Sequence, residues 1–502
     1  MDALAYNGVI LNNHYVQSTC SPSRAALLTG RYPIHTGMQG APIFGPEPRG
    51  LPLEYKILPE YLRDLGYSTH AVGKWHLGFF RKQYTPLFRG FDTFLGYYNG
   101  YIGYYDHVAQ NIGGNDDMNG YDMRRNMTSA WDLEGTYNTD LFSNEAVRII
   151  NEHDLSRPMF VYLAYAAVHG SHPGRRLEAP QDLVNQLKNI RDPNRRTYAA
   201  MVAKMDQGIG EVVTALKNRG MLDNTIIIFS SDNGAPTRES IFPNWGTNFP
   251  LRGAKETLWE GGVRSASFIW SSTFQQRPRV SNQLIHISDW LPTLYSAAGG
   301  DQINLPTDMD GVDQWYSLTW DLPSRRSQAL ININEKEKSA AIVAVYGTAN
   351  RQMRSTWKLV YGKTAGGKYD GVYNENSNPQ TRVYDINSVI NSHAAKSLST
   401  LFAPISTEIQ MRVLRDEARV SCSGAAINAN APDCSSKPCL FFLDTDPCEA
   451  VNLASSRPAV VGQLYQALKL YYAGIRKQDP LVLQEALANP ARFNNTWSSW
   501  AL

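Results

Sequence analysis

The sequence predicts an α/β fold: a large, mainly parallel sheet flanked by helices, followed by a smaller α+β domain. Three observations carry that prediction. Met159 to Ala167 reads as a strong strand, and Thr225 to Phe229 is a continuous apolar run typical of a strand buried on both faces. Between them, Val202, Met205, Ile209, Val212, Val213 and Leu216 recur at spacings of three and four, a helix over 199–219 that Gly220 closes. Strands alternating with helices make parallel sheets. Finally, Lys74, His76, His169, Asp232 and Asn233 each directly follow a predicted strand, where such sheets collect functional groups.

In chain order, Val9 to Leu11 and then His14 to Val16 read as a short strand leading into a turn at Cys20. Ser21 is a good N-cap, Pro22 suits a first helical turn, Ala25 to Leu28 favour helix, and Gly30 stops it. Cys20 is therefore expected at a helix N-terminus, where backbone N–H groups and the helix dipole favour an anion, with Arg24 one turn further on. Leu58 to Leu65 reads as a helix closed by Gly66, and Ser68 to Val72 as a strand running into Gly73-Lys74-Trp75-His76-Leu77-Gly78. The tyrosines of residues 91–107 suit half-buried packing better than the lining of a substrate mouth. Leu141 to Ile150 should be helical. After about residue 322 the pattern changes: Ala341 to Tyr346, Trp357 to Tyr361 and Arg382 to Ile386 read as short strands, and Pro458 to Lys477 as a helix. This divides the chain into 1–322 and 323–502.

The 502 residues are 43% hydrophobic and 19% charged, as in a soluble globular protein. A net charge of +2 gives no reason to expect nucleic acid or an acidic membrane as partner. The longest nearly apolar run, Met159 to Val168, is too short to span a bilayer. Cys422, Cys434, Cys439 and Cys448 cluster far from Cys20. They suggest two disulfides, with all three pairings open, and an oxidising compartment. Their irregular spacing and the lack of a nearby histidine suit zinc less well. Asn126 and Asn494 head glycosylation sequons. Met1-Asp2-Ala3-Leu4-Ala5-Tyr6 has neither the basic nor the apolar region of a signal peptide, so an incomplete N-terminus is expected.

Several short stretches carry chemistry. They are Cys20-Ser21-Pro22-Ser23-Arg24 with Thr29-Gly30, Gly73 to Gly78, Ser231-Asp232-Asn233-Gly234, Arg252-Gly253-Ala254-Lys255 with Trp259-Glu260-Gly261-Gly262, Leu284 to Thr293, and Asp446-Pro447-Cys448-Glu449. In this order they resemble the motifs of the formylglycine-dependent sulfatase family, of the alkaline-phosphatase-like superfamily. The resemblance covers essentially the whole chain. Its closest form is the arylsulfatase B type, which removes 4-sulfate from N-acetylgalactosamine ends of glycosaminoglycans.

The resemblance implies a hydrolase of sulfated carbohydrates or small sulfate esters, lysosomal or secreted. A formylglycine-generating enzyme would oxidise Cys20 to formylglycine. One hydroxyl of the hydrated aldehyde would attack sulfur and the other would later expel sulfate. Cys20, Asp232 and Asn233 would bind calcium through oxygen, and Arg24 and Lys74 would stabilise the formylglycine oxygens. His76 would take the proton that lets sulfate leave, His169 would protonate the departing alcohol, and Lys255 would hold a sulfate oxygen. His172 rivals His169, because Pro173 follows it. Each residue also has a plainer reading: Asp-Asn-Gly is a turn signal, histidines are often structural (His286 above all), and lysines are often solvated. Two alternatives stand beside the hydrolase: a phosphate or phosphonate esterase of the same superfamily, and a catalytically silent binding homologue. The second arises because the family carries paired aspartates at the end of its first central strand, upstream of the cysteine. Here Asp2 is the one carboxylate before Cys20. The expected consequence is a slot in the middle of the large sheet beside Asp232, and an inactive, poorly stable chain.

Overall fold

The computed structural model describes residues 1–110, 118–240, 242–347, 354–374, 384–401, 405–427 and 430–501. The strands are β1 (Val9–Leu11), β2 (His14–Tyr15), β3 (Ser68–Lys74), β4 (Thr93–Tyr97), β5 (Val108–Gln110), β6 (Asn119–Tyr121), β7 (Arg124–Arg125), β8 (Thr128–Ser129), β9 (Met159–Ala164), β10 (Ile226–Ser230), β11 (Ser267–Ser271), β12 (Arg279–Ser281), β13 (Ile285–His286), β14 (Gln328–Asn334), β15 (Ser339–Tyr346), β16 (Ser355–Tyr361) and β17 (Cys439–Phe442).

Two sheets occupy the middle of the chain's first part. One has the order β8-β7-β4-β3-β9 and the other β10-β11-β1-β12. The parallel core is β4-β3-β9, with β1 and β12 parallel in the other sheet. The sheets are nonetheless mixed, because β11 runs antiparallel to both β1 and β10, and β7 is antiparallel to β4. Gly73 on β3 shows how close the packing is. A Cβ there would lie 2.0 Å from the Ala164 carbonyl oxygen of β9, and its own φ is +103°. Only glycine lets these strands meet without displacing backbone.

The helix Pro193–Asn218 packs against Asn138–Glu152, and its Val213 and Leu216 share a buried cluster with Ile150, Phe268 and Trp270. Pro193 stands in its first turn and the Asp192 side chain caps Arg195 N–H, so it starts earlier than the apolar pattern alone marks.

Every residue of β9 and of β10 is half-buried, although the two strands read Met-Phe-Val-Tyr-Leu-Ala and Ile-Ile-Ile-Phe-Ser. Among the described strands, β9 is hydrogen-bonded to β3 alone and β10 to β11 alone. All eleven of these residues line one cavity of about 1800 Å³, as does Asp232. The slot expected beside Asp232 is thus a feature of the fold.

The antiparallel sheet β14-β15-β16-β17 follows residue 322. One face, with Ile331, Val343 and Phe441, covers Tyr15, Leu258 and Trp259. The other, with Leu330, Ile342 and Leu440, packs on Leu464 and Leu468 of the helix Pro458–Ala473. Later segments return to the first part of the chain. The helix His393–Leu398 packs on Pro193–Asn218, and Trp497 lies in the core against Phe79. Arg382 to Ile386 is not a strand where it is described: Tyr384 and Asp385 are irregular, Ile386–Ile390 is a helix, and residues 382–383 lie outside the described ones. The Asp385 carboxylate accepts from Asn387 N–H, and this cap starts the helix where strand-like composition pointed the other way. Disulfides join Cys422 to Cys448 and Cys434 to Cys439; Cys20 is free.

Candidate active site

Cys20 opens the helix Cys20–Thr29 and is buried. The N-cap is Thr19, not Ser21. The Ser21 hydroxyl instead donates to the His76 carbonyl (2.9 Å) and accepts from Ile43 N–H (3.2 Å), so it ties the helix to the β3 loop. Gly30 ends the helix at φ 66°, as its position foretells.

Three strand ends bring the remaining groups to Cys20. The first is β3, which ends in Lys74 with His76 two residues on. His76 Nε2 lies 3.0 Å from the Ile43 carbonyl oxygen, which can only accept, so Nε2 carries the proton and Nδ1 keeps its lone pair. Nδ1 is buried and has no hydrogen-bond partner among the described residues. The second is β9, which leads to His169. Its Nδ1 donates to the Gly170 carbonyl (2.6 Å), leaving Nε2 to accept from Lys255 Nζ (3.1 Å). The third is β10, which ends at Asp232 and Asn233. Asn233 Oδ1 lies 3.5 Å from Cys20 Sγ. The turn is tight because a Cβ on Gly234 would lie 1.8 Å from the Gly261 carbonyl oxygen.

Lys255 comes from a separate segment, held from both sides. Its own N–H donates to the Ala235 carbonyl (3.2 Å), and Glu256 N–H donates to the Ser18 carbonyl (2.8 Å). Lys255 Nζ then donates to Cys20 Sγ at 3.4 Å. The segment ends at Glu260, whose carboxylate accepts from Tyr15 Oη (2.9 Å) and from the fully buried Lys358 Nζ (2.9 Å). Lys358 also pairs with Glu449 at 2.8 Å.

Arg24 binds the walls together. Its Nε and Nη2 donate to Asp232 Oδ2 (3.1 and 2.9 Å), and its Nη1 to the Lys74 carbonyl (2.8 Å) and Tyr162 Oη (3.2 Å). Cys20, Arg24, Lys74, His76, His169, Asp232, Asn233 and Lys255 therefore form one cluster. His172 lies apart, with Nε2 on Asp106 Oδ1 at 3.1 Å, and His286 is a fully buried structural residue bonded to Gln17 and Ser288.

Electrostatics follow from burial among cations. Burial alone would raise the Cys20 thiol, but the Lys255 and Lys74 ammoniums, with His169 and His76, hold it well below its usual range. Burial lowers Lys74 to about 8, with Arg24 and Lys255 adding repulsion that Cys20 and Asp232 partly offset. Burial, then Lys74, lowers His76 to about 4, and burial, then Lys255, lowers His169 to about 4. Both imidazoles are thus neutral near pH 7.

The sequence reading missed Tyr162, whose hydroxyl meets Arg24; its one signal was a tyrosine inside an apolar strand. It also missed the aromatic rim. Tyr101 stacks on His169 at 6.1 Å between centroids, with Phe242 tilted against both. Tyr97, Tyr98 and Tyr104 are buried in the core, in line with the packing role expected for most of that run.

Calcium takes six to eight oxygen ligands. Here Asp232 Oδ2 is engaged by Arg24, and Asn233 contributes a single amide oxygen. Among the described residues, no three His, Cys, Asp or Glu side chains group so as to hold a metal. These side chains by themselves do not fit a calcium ion.

A family model described as Sulfatase matches residues 1–300. The chain belongs to the sulfatase family. This sulfatase is 42% identical to arylsulfatase J of Mus musculus over 371 residues, 72% of its own length and 60% of that protein's. It is 34% identical to N-acetylgalactosamine-6-sulfatase of Mus musculus over 330 residues, 62% of its length and 60% of that protein's. The sulfatase chain thus spans about three fifths of these relatives. Among solved structures it resembles Ps i-CgsB in complex with k-i-k-neocarrahexaose, with a TM-score of 0.68 at 24% identity, covering 99% of this chain and 93% of that one. It also resembles the PsFucS1 sulfatase from Pseudoalteromonas sp., with a TM-score of 0.60 at 22% identity, covering 95% and 85%. At these identities the likeness establishes the sulfatase fold. No helix among the described residues is long and apolar enough to cross a membrane.

Proposed function

We propose that this chain carries the catalytic centre of a sulfuric ester hydrolase of the arylsulfatase type, with residue 20 as formylglycine. The observation that supports it best is the convergence on Cys20 of Arg24, Lys74 and Lys255 with two neutral histidines, beside Asn233. Three fixed cations around one helix N-terminus suit a tetrahedral oxyanion. The pocket suits the modification, since Lys255 Nζ donates toward the position that Sγ marks. Formylglycine supplies two hydroxyls on one carbon, which a serine or a thiol does not.

The protein's own groups then divide the work. Lys255, which bridges residue 20 and His169, would hold a sulfate oxygen between them. His169 Nε2 holds a lone pair that accepts from Lys255 Nζ, so it would take a proton from that ammonium and pass it to the departing alcohol oxygen, leaving Lys255 neutral until it is reprotonated. His76 has Nε2 fixed by the Ile43 carbonyl and an unpartnered Nδ1, and would take the proton whose loss lets sulfate leave. Arg24 and Lys74 fix positive charge behind residue 20. The calcium that the resemblance implies would need oxygens beyond Asp232 and Asn233; the steps assigned here run through protein side chains.

For substrate, we propose a sulfated hexosamine or another sulfated carbohydrate end of the arylsulfatase B kind, its ring against Tyr101 and Phe242. The compartment would be lysosomal or secretory, where a formylglycine-generating enzyme acts first. The second reading, a silent homologue, is favoured by one observation: the shortage of metal-binding oxygens around Asp232. The test is to express the chain behind a signal peptide in cells with that enzyme, and to analyse the peptide containing residue 20 by mass spectrometry. The aldehyde is expected; an unmodified thiol from competent cells contradicts the proposal. Relative turnover of aryl sulfate and aryl phosphate separates a sulfatase from a phosphoesterase.

A further inference from the structure

We propose that Arg176 is a specificity-determining residue. Its guanidinium binds a second anionic group of the substrate, a carboxylate or a further sulfate, carried with the sugar that lies against Tyr101 and Phe242. This rests on the reading of the Cys20 cluster as a sulfate-ester site.

Just beyond His169 the chain closes into a short loop. Ser171 N–H donates to the Arg176 carbonyl (2.8 Å), and Arg176 Nη1 donates to the Ser171 carbonyl (2.9 Å). Ser171 is buried, with its hydroxyl on the Ile102 carbonyl at 3.3 Å. Asn244 is buried as well, and its Nδ2 donates to the Val168 carbonyl (2.9 Å), which sets the segment of Phe242 beside this loop. The Arg176 guanidinium lies over the Phe242 ring, with Cζ 5.2 Å from the centroid. Phe242 in turn is 5.8 Å from His169 and 5.6 Å from Tyr101 between centroids. Arg176 thus stands one aromatic ring away from His169, and both ends of that arrangement are fixed by hydrogen bonds to buried groups.

The charge of Arg176 has no counterpart. The neighbouring Arg175 takes the acids of this region, pairing with Asp106 at 2.7 Å and Glu178 at 3.6 Å. Among the described residues Arg176 has no carboxylate partner, and its Nε and Nη2 make no hydrogen bond. Partial burial disfavours a guanidinium in this position and lowers its pKa, with Tyr101 offsetting the effect. Stacking on Phe242 engages the face of the guanidinium and leaves its N–H edge unused. That edge is a planar pair of donors, the geometry that suits two oxygens of a carboxylate or a sulfate. Arg24, Lys74 and Lys255 serve the scissile sulfate at residue 20, so a second anion on a sugar held against Tyr101 and Phe242 meets Arg176 instead. The substrate class is therefore a sulfated carbohydrate with an anionic group besides the ester that is cleaved.

The test gives chain 1–502, bearing the aldehyde at residue 20, three compounds: a methyl glycoside of N-acetylgalactosamine 4-sulfate, the corresponding 4,6-disulfate, and the 4-sulfate joined to a hexuronate. For one of the two dianions kcat/KM is expected to exceed that of the monosulfate by about tenfold or more. Which one it is identifies the second anion as sulfate or carboxylate. In Arg176→Gln this preference should collapse toward one, through KM rather than kcat, and Arg176→Lys should keep part of it. Calorimetric binding of the same compounds to the Cys20→Ala chain reads the preference without turnover. A preference in binding that depends on Arg176, with no turnover by the aldehyde form, leaves the subsite standing and refutes the sulfatase reading. Turnover or binding without preference for a dianion, a preference that survives Arg176→Gln, or an equal loss on all three compounds in that variant overturns the subsite. Absence of both binding and turnover overturns both.

Discussion

His76 and His169 hold their pKa near 4 because burial, reinforced by Lys74 and Lys255 respectively, penalises the charged imidazole. The unfolded chain binds these protons near 6.5. Between those values the unfolded state takes up more protons, so stability is full above about pH 6.5 and falls as pH drops toward 4. The shift corresponds to roughly 3 kcal/mol for each histidine. Denaturant midpoints at pH 7 and pH 4.5 check this, and His169→Gln should flatten the slope. In unmodified protein, Cys20 is the one free thiol beside four disulfide-bonded cysteines. Its thiolate absorbance is expected to titrate well below the range of an ordinary cysteine, and Lys255→Met should move the midpoint up. An unchanged midpoint would mean that Lys255 is not at the sulfur in solution.

At the scale of elements, the segment 252–262 is a brace: Lys255 faces Cys20, while Glu260 is locked to Tyr15 and Lys358. Lys358 and Glu260 are fully buried, and burial pushes Glu449 up to about 7 despite the Lys358 charge. Lys358→Met leaves two buried carboxylates without their shared cation and is expected to cost about 3–5 kcal/mol. Chemical denaturation measures that cost, and Glu449→Gln in the Lys358→Met background should recover part of it. Gly73→Ala, with its 2.0 Å backbone clash, should abolish folding yield rather than merely lower activity. The motifs around Cys20, Lys74 and Asp232 were legible because each joins a strand end to a special turn. Tyr162 and the Lys358 brace were not, because an ion pair between residues so distant in sequence leaves no local pattern. Ser21 shows a second limit: it has the chemistry of a cap, but its hydroxyl is claimed by the distant His76 carbonyl. The antiparallel course of β11 was also hidden, since strand direction depends on chain routing and not on local composition.

At the scale of the molecule, two facing strand edges border a cavity of about 1800 Å³ where the sheets would otherwise join. Arg24 and Asp232, which belong to the Cys20 cluster, also line that opening. Whether the Cys20 cluster hydrolyses sulfate esters is decided by a turnover assay. It is the release of alcohol from an aryl sulfate by chain 1–502 bearing the aldehyde at residue 20. Turnover that exceeds that of the matching aryl phosphate and vanishes in Cys20→Ala is expected. A protein with the aldehyde verified but without sulfate turnover above that variant would contradict this function.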